Sequence, residues 1–551
     1  MSDLQNLSGR LHNRYNNWQN ERLLMEIAQQ VALHAQPRPG QAPVIFFNAS
    51  TRLGYLSLNA AFSLLTSWSL QLAGVPVVHF VCQAGLSRCV LGTDWEHPEA
   101  EPPCTRCQAL SDKVFRSVEA HPFHYTADPL LSASLQGLGV EQLSRFEFPA
   151  SFLPGEPAIP LGRLALPSLR WAMRRHHLRD DEATRFLFSE YLLSAYHLAQ
   201  EFAALIERSQ PAAAVLFNGT MYPEATARWV AAQYSLHTVT HEVSFQPFSA
   251  FFTSGEATAY PLDIPDDFEL GEQENERLDQ YLERRFQGKF TMAGIRFWSE
   301  MRGLDPAFLE KATRFRQIVP VFTNVVFDTS QVHANTVFSN MFEWLEVTLE
   351  LIKAYPDTLF VLRAHPDEMR PKKESQESVR EWVQKNGVDR LPNVVFIDSQ
   401  EQISSYELIE RAKFVMVYNS SIGLEAALLG AAVLCGGKAR YTQLPVVFFP
   451  DSPSEYAARA RAFLDADRIE VPEAFARNAR RFLYYQFYRA SLPFDQFLEN
   501  GILPGFVHFR AFDWRDLLPE RSPTLQIVQN GILNGGRFFI GEASHAESVR
   551  G

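Results

Sequence analysis

Between residues 318 and 435, short apolar runs alternate with helical segments, and this rhythm limits the fold more than any other feature of the chain. The runs are Ile318–Phe327, Leu359–Leu362, Val394–Ile397, Phe414–Tyr418 and Ala432–Cys435, with helical patterns over 339–354, 404–412 and 421–429. Strands that are apolar throughout, rather than on alternate positions, are buried on both faces, which is the condition of a parallel sheet covered by helices. The spacing predicts a doubly wound parallel sheet here. The same unit recurs upstream. Val44–Phe47 leads through a polar loop to a helix over 58–73 and the strand Val77–Val81. Ala213–Phe217 leads through Asn218–Tyr222 to a helix over 223–234 and the strand His237–Thr240. The expected fold is therefore α/β, with two Rossmann-like doubly wound parallel-sheet domains facing a cleft.

A chain of 551 residues is too long for one core and suits two domains with connecting elements. The sequence divides into an N-terminal helical segment (1–40), a first domain with a cysteine-containing insertion (41–262) and a charged helical interdomain segment (263–315). A second domain (316–466) and C-terminal helices with a tail (467–551) follow. The stretch 83–160 reads as irregular.

Net charge is −12, which argues against broad nucleic-acid binding. The one basic run, Arg170, Arg174, Arg175 and Arg179 with His176 and His177 among them, reads as a solvated helical face. The polar opening MSDLQNLSGRLHNRYNNW reads as no secretory leader. Ala61–Cys82, free of Asp, Glu, Lys and Arg, reads as a helix followed by a strand rather than a membrane span. The expected location is cytoplasmic, with peripheral association at the inner membrane as an extension of that reading. The aromatic helix Phe482–Tyr488 is expected to pack against the body rather than dock on lipid.

In doubly wound sheets, ligands sit at the carboxyl ends of the strands. One such end carries Arg363-Ala-His365-Pro366-Asp-Glu368. Pro366 keeps His365 extended, and Arg363 and His365, two apart, project to one side, where they could present donors to a phosphate. Another carries Tyr418-Asn419-Ser420-Ser421-Ile-Gly-Leu-Glu425. There a helix start and two hydroxyls could form an anion site, and Glu425, one turn on, could take ribose hydroxyls. The same residues also suit a simple N-cap with an acid favouring the helix dipole.

These two motifs, with the upstream Thr323-Asn-Val-Val-Phe-Asp328 and the downstream Gly436-Gly-Lys-Ala-Arg-Tyr441, resemble the donor-binding half of bacterial capsule polysaccharide biosynthesis proteins. These are GT-B-type glycosyltransferases, a group that includes Kdo transferases. The resemblance covers residues 318–445. It implies donor-side roles for Asn324, Arg363, His365, Asn419, Ser420, Ser421 and Glu425, with His365 on the donor phosphate. Polyglycerol-phosphate transferases and UDP-sugar 2-epimerases carry similar His-Pro and serine-rich turns.

A catalytic base is expected from the opposite domain, where Glu242 follows His237–Thr240. A structural carboxylate bonded to loop amides fits that position equally. Asn48, Ser50, Arg52 and Asn218 occupy equivalent strand ends and could orient acceptor or phosphate, or simply form turns. Cys82, Cys89, Cys104 and Cys107, with spacing C-x6-C-x14-C-x2-C, could hold a structural zinc; Cys435 reads as core. The expected activity is glycosyl transfer from a nucleotide-sugar donor to a surface-polysaccharide or glycolipid acceptor, with no cofactor required for transfer. The alternatives are a UDP-sugar epimerase-like enzyme and a non-catalytic sugar-nucleotide-binding scaffold.

Overall fold

The computed structural model describes residues 2–49 (side chains from 18), 55–116, 118–287, 302–370, 373–501 and 505–541. Ser50 and Arg52 lie outside the described residues.

After the long helix α1 (Ser2–His34) the first unit runs β1 (Val44–Asn48), α2 (Leu58–Leu72), β2 (Val77–Cys82), α3 (Cys104–Val114) and β3 (Glu119–Phe123). It continues through α4 (Leu161–Met173), α5 (Glu182–Ser209), β4 (Ala213–Phe217), α6 (Tyr222–Gln233), β5 (His237–Val243) and β6 (Ser249–Thr253). Helix α7 (Glu272–Phe286) leads towards the second unit. That unit contains β7 (Gln317–Phe322), α8 (Gln331–Ala334), α9 (Met341–Ala354), β8 (Thr358–Arg363), β9 (Val394–Ile397) and α10 (Ser405–Glu410). It ends with β10 (Val415–Val417), α11 (Ile422–Leu428), β11 (Val433–Cys435), α12 (Pro453–Asp465) and α13 (Glu473–Tyr484). The chain then returns to the first unit through β12 (Leu492–Pro493) and α14 (Pro523–Asn534).

The second sheet has strand order β9-β8-β7-β10-β11 and is parallel throughout. The first has order β12-β6-β5-β4-β1-β2-β3, parallel from β5 to β3, with β6 and β12 added antiparallel. In each sheet the chain lays down three strands in one direction, then crosses back to add strands beside the first. That reversal opens a crevice between the first and fourth strands of the set.

Alternate residues of one strand feed opposite cores, as the strand period demands. Ile45 and Phe47 pack with α4, α5 and α6, while Val44 and Phe46 pack with α1, α2 and the C-terminal return. In the second unit, Phe360 and Leu362 join the main core and Leu359 and Val361 a smaller one. Local signals set the helix starts: Ser57 caps α2 through Ala60 N–H, and Asn340 caps α9 through the N–H groups of Phe342 and Glu343.

The structure differs from the sequence reading in several places. The stretch 83–160 holds a regular sheet member, β3; its sequence EAHPF carries a proline and little β-branching, which an edge strand paired only with β2 tolerates. The apolar run Ile318–Phe327 is strand only to Phe322, and the remainder turns into the cleft. The basic run is not a solvated face. Glu377 of the second unit accepts the N–H groups of His176 and His177 and pairs with His177 Nδ1 at 2.6 Å, while Arg175 donates to Gln376 O. It is an interdomain contact, invisible in a sequence that does not show its acidic partner. The aromatic helix packs inward, with Phe482, Leu483, Tyr484, Tyr485 and Phe487 all buried. Among the described residues, no helix is long and apolar enough to cross a membrane.

The C-terminal return is part of the first core: Phe494 and Leu525 are fully buried beside Phe62, Leu65 and Trp68. Phe494→Ala and Leu525→Ala should each cost about 3 kcal/mol, the usual range for large-to-small changes in a core. Urea unfolding of the full chain checks this; losses under about 0.5 kcal/mol would mean that the segment merely lies on the surface.

Candidate functional site

Four strands of the second sheet release their carboxyl ends into one cleft, and the residues immediately beyond them are polar. Asn324 follows β7, His365 follows β8, Asn419 to Ser421 follow β10, and Lys438 follows β11. Across the reversal point of the sheet, Asn324 Nδ2 donates to Asn419 Oδ1 at 2.7 Å, and Gln331 Nε2 donates to the same oxygen at 3.1 Å. Two cavities meet here, sharing His365, Asp367, Ser420 and Ser421. The inner one is walled by Phe322, Ile403, Tyr406 and Ile422, with Arg363, Arg285, Asp367 and Glu425 as its charged members. The outer one carries Asp328, His333, Arg370, Lys373, Lys438 and Arg440, and the first unit closes it with Trp171, Phe245, Thr258 and Ala259.

The motif Arg363-Ala-His-Pro behaves as its sequence suggests. His365 stays extended, caps the short 3-10 turn Pro366–Met369, and accepts Asp367 N–H on Nδ1 at 3.1 Å. Accepting on Nδ1 places the ring proton of the neutral imidazole on Nε2. Burial lowers the His365 pKa, with the carboxylates of Asp367 and Asp328 opposing and Arg363 assisting. His365 is thus a neutral donor at the junction of the cavities. Burial lowers Arg363 to about 10 with only Glu401 acting against it, and its Nη1 makes no hydrogen bond among the described residues. A buried cationic N–H without a partner, beside a cavity, is a place for an anion.

Two sequence expectations for the serine-rich turn change. Helix α11 is seven residues long, and its Ser421 makes no side-chain cap. The amides of Gly423, Leu424 and Glu425 bond back to the carbonyls of Ser420 and Ser421, so they are not the free donors foreseen. Glu425 lines the inner cavity but is engaged: Arg285 Nη2 lies 2.7 Å from Oε1 and the Tyr406 hydroxyl 2.5 Å from Oε2. It holds α7 against the second unit as well as facing the cavity. Gly423 is required where the turn closes, since a Cβ there would stand 2.2 Å from the Tyr441 hydroxyl.

The first-unit residues fare differently. Asn48 is internal, bonding Phe46 O and His79 Nδ1 and accepting from Ser63. Asn218, at positive φ, spans the turn after β4, accepting Thr220 N–H and donating to Glu242. Glu242 lies within β5, not beyond it, and outside the lining of both cavities. Burial raises its pKa, but three N–H groups hold the carboxylate: Asn218 Nδ2, Asn59 Nδ2 and the amide of Val243. The structure therefore places it as a fixed acceptor that orders the β4 and β5 loops.

Sequence reasoning missed a pair that does reach the cleft. His333, on α8, sets Nε2 2.7 Å from Oε1 of Glu256 in the first unit. Burial alone would raise the Glu256 carboxyl, yet His333, with Thr220 and Arg228, holds it at about 2. Arg228 contributes an ion pair of 2.7 Å, and the hydroxyls of Thr220 and Thr258 both donate to Oε1. No motif marked His333; only the structure shows that an acid from the other unit orients it.

Glu368, the last residue of Arg363–Glu368, is buried, with one oxygen accepting Val379 N–H and the other unpaired among the described residues. Burial pushes its carboxyl up to about 8. A raised folded pKa gives stability that is complete below the ordinary carboxylate range and is lost as pH rises through about 8. This group should therefore pull the Tm down between about pH 5 and pH 9, against the rise that the buried, neutral His79, His176 and His241 give up to about pH 6.5; Glu368→Gln should raise the Tm at about pH 9 relative to that at about pH 5. An equal slope in both proteins would assign the effect elsewhere.

Residues 290–446 match the family described as Capsule polysaccharide biosynthesis protein. No curated protein matches the chain. Among solved structures, it is similar to the KpsC β-Kdo 2,7 transferase of Thermosulfurimonas dismutans, at 15% identity over 56% of this chain and 85% of that one, with a TM-score of 0.34. It is similar to the β-Kdo 2,4 transferase of the same organism's KpsC at 12% identity, over 51% and 80%, with a TM-score of 0.34. The UDP-GlcNAc 2-epimerase of Neisseria meningitidis, bound to UDP-GlcNAc, shares 11% identity over 80% and 95%, with a TM-score of 0.24. The segment that supplies the second sheet's strand ends, and with them Asn324, Arg363, His365 and Asn419 to Glu425, is thus the part of the chain that matches the capsule polysaccharide biosynthesis protein family.

Proposed function

We propose that the protein is a glycosyltransferase that moves a sugar from a nucleotide-activated donor to a saccharide acceptor in capsule polysaccharide assembly. The observation that carries this reading is the pair of joined cavities at the strand ends of the capsule-family segment. One has a buried, unpartnered Arg363 nitrogen; the other is closed by the opposite unit. The inner cavity, apolar with a few polar groups, suits base and ribose. Arg363, the Nε2–H of His365 and the hydroxyls of Ser420 and Ser421 suit the phosphates at the junction. The outer cavity takes the transferred sugar and the acceptor.

In the transfer step the acceptor oxygen forms its bond to the anomeric carbon as the bond from that carbon to the donor phosphate oxygen breaks. The bonding pair leaves with the phosphate, where Arg363 and His365 stabilise it. The acceptor proton needs a base. With Nε2–H held by Glu256, the imidazole of His333 carries its lone pair on Nδ1, and the ionised Glu256 stabilises the imidazolium that forms. Glu242 is the competing base, and its geometry favours an ordering role instead. Saccharide or lipid-linked saccharide acceptors, and a site of action beside the inner membrane, belong to the same proposal.

Thermal shift of the full chain against CMP, CDP, UDP, GDP and their common sugars tests the donor site. A ligand at a hundred times its dissociation constant adds about 2.7 kcal/mol. One nucleotide class should raise the Tm, and His365→Ala should abolish the rise. No shift with any nucleotide would remove the nucleotide-sugar reading. Once the donor is known, His333→Ala should lower turnover about 10²- to 10⁴-fold with the donor shift retained, while Glu242→Gln changes turnover far less. The reverse ranking would return the base to Glu242, and product formation without acceptor would indicate epimerisation.

A further inference from the structure

Four of the five cysteines come together at one place that the transfer reaction does not use. Cys82 ends β2, Cys89 lies in the loop that follows, and Cys104 and Cys107 occupy the first turns of α3. All four line one small cavity at the carboxyl end of the first sheet, and no charged side chain shares that lining. The fifth, Cys435, is buried in the second unit, where its thiol donates to Tyr418 O and Gly437 O. The four differ from it in being only partly buried.

One contact in the cluster is of the kind a metal-bound thiolate uses. The Gly85 N–H donates to the Cys82 sulfur at 3.3 Å. An N–H donated to a cysteine sulfur is the outer-shell contact that orients a metal-bound thiolate. Gly85 makes that contact because the loop passes so close to β3 that a Cβ would stand 2.2 Å from the Phe123 ring. Between Cys82 and Cys104, the chain has no helix or strand of its own. Its tip also carries Asp94, Glu96 and His97, the one group of three possible ligands within 4.8 Å of one another among the described residues. The four sulfurs therefore stand further apart than a bound set, whose sulfurs at about 2.3 Å from zinc lie about 3.8 Å apart. No three of the four sulfurs stand within 4.8 Å of one another, so binding draws both the loop that carries Cys89 and the start of α3 inward.

We infer that Cys82, Cys89, Cys104 and Cys107 bind one structural zinc ion as four thiolates. Each thiol gives up its proton on binding, so the ion replaces four S–H bonds by four Zn–S bonds and releases four protons. The ion staples the loop from Ala84 to Pro103 and the start of α3 to the end of β2, beside Asn48 and Ala49 on the first unit's side of the cleft. This inference does not depend on the glycosyltransferase reading.

The test is metal analysis of the full chain purified under reducing conditions, with an organomercurial to displace thiolate-bound metal. One zinc per chain is expected, released only as the thiols are titrated, and cobalt exchanged into the site should show the thiolate-to-metal charge-transfer bands of a sulfur-rich tetrahedral ion. Cys104→Ser/Cys107→Ser should lose the metal, whereas Cys435→Ser and Asp94→Asn/His97→Ala should keep it. Should the double cysteine variant fail to fold, the cobalt spectrum of the unaltered protein still decides. The absence of zinc with four freely reactive thiols after reconstitution would overturn the inference. So would a disulfide among the four in the reduced preparation, or metal lost only in the Asp94/His97 variant.

Discussion

Each sheet is covered by helices on both faces, so its polar chemistry can meet a ligand only at the strand ends. That constraint governs the rest of the molecule. Strands such as Phe360-Val-Leu362 are fully buried and have no room for a polar side chain, whereas the next residues, Arg363 to Asp367, line the cavities. The reversal of strand order between β7 and β10 separates the loops that follow them and leaves a crevice. Asn324 and Asn419 span that crevice by a side-chain hydrogen bond, which fixes its width. Rigid strands thus deliver Arg363, His365 and the serine pair to one point without help from mobile loops.

The two units share an apolar cluster in which Phe251 and Tyr260 of the first join Phe322 and Val417 of the second, and polar contacts add to it. Glu377 gathers the amides of His176 and His177, and Glu256 reaches His333. The buried pair of Arg285 and Glu425 ties α7 to the first turn of α11. Removing two charges from water is costly, and the cost is offset only when every partner is satisfied. Here both oxygens of Glu425 are taken, one by Arg285 and the other by Tyr406, and Arg285 also donates to the Tyr281 hydroxyl. The wall of the inner cavity is consequently stiff, as pre-organised binding requires.

What the sequence shows and what it hides follow from how local each feature is. The parallel sheet of the second unit is legible because its strands are apolar throughout and its helices are capped by nearby residues. His365 is legible because Pro366 alone dictates its backbone. The edge strand β3 is not, since its stability comes from pairing with β2 and not from its own residues. Glu425 was misread in part: helical spacing places it beside Ser421, but nothing in the local sequence announces Arg285, 140 residues away. His333 is the clearest case. Its environment is made by Glu256, Thr258 and Arg228, which lie on a loop and a helix of the first unit, and no window of sequence contains both sides.

The same distinction separates the two walls of the cleft. The second unit presents side chains from strand ends, so its half of the site is as rigid as the sheet beneath it. The first unit contributes Trp171, Phe245, Thr258 and Ala259 from a helix and loops, with Glu242, Asn218 and Asn59 forming an ordering network just outside. A ligand group that does not vary rewards a rigid half-site. A ligand that varies rewards a wall whose loops can be re-cut without disturbing the sheet. Residues 290–446, which match the capsule family model, thus supply the rigid half of the cleft, and the first unit supplies the half whose loops can change.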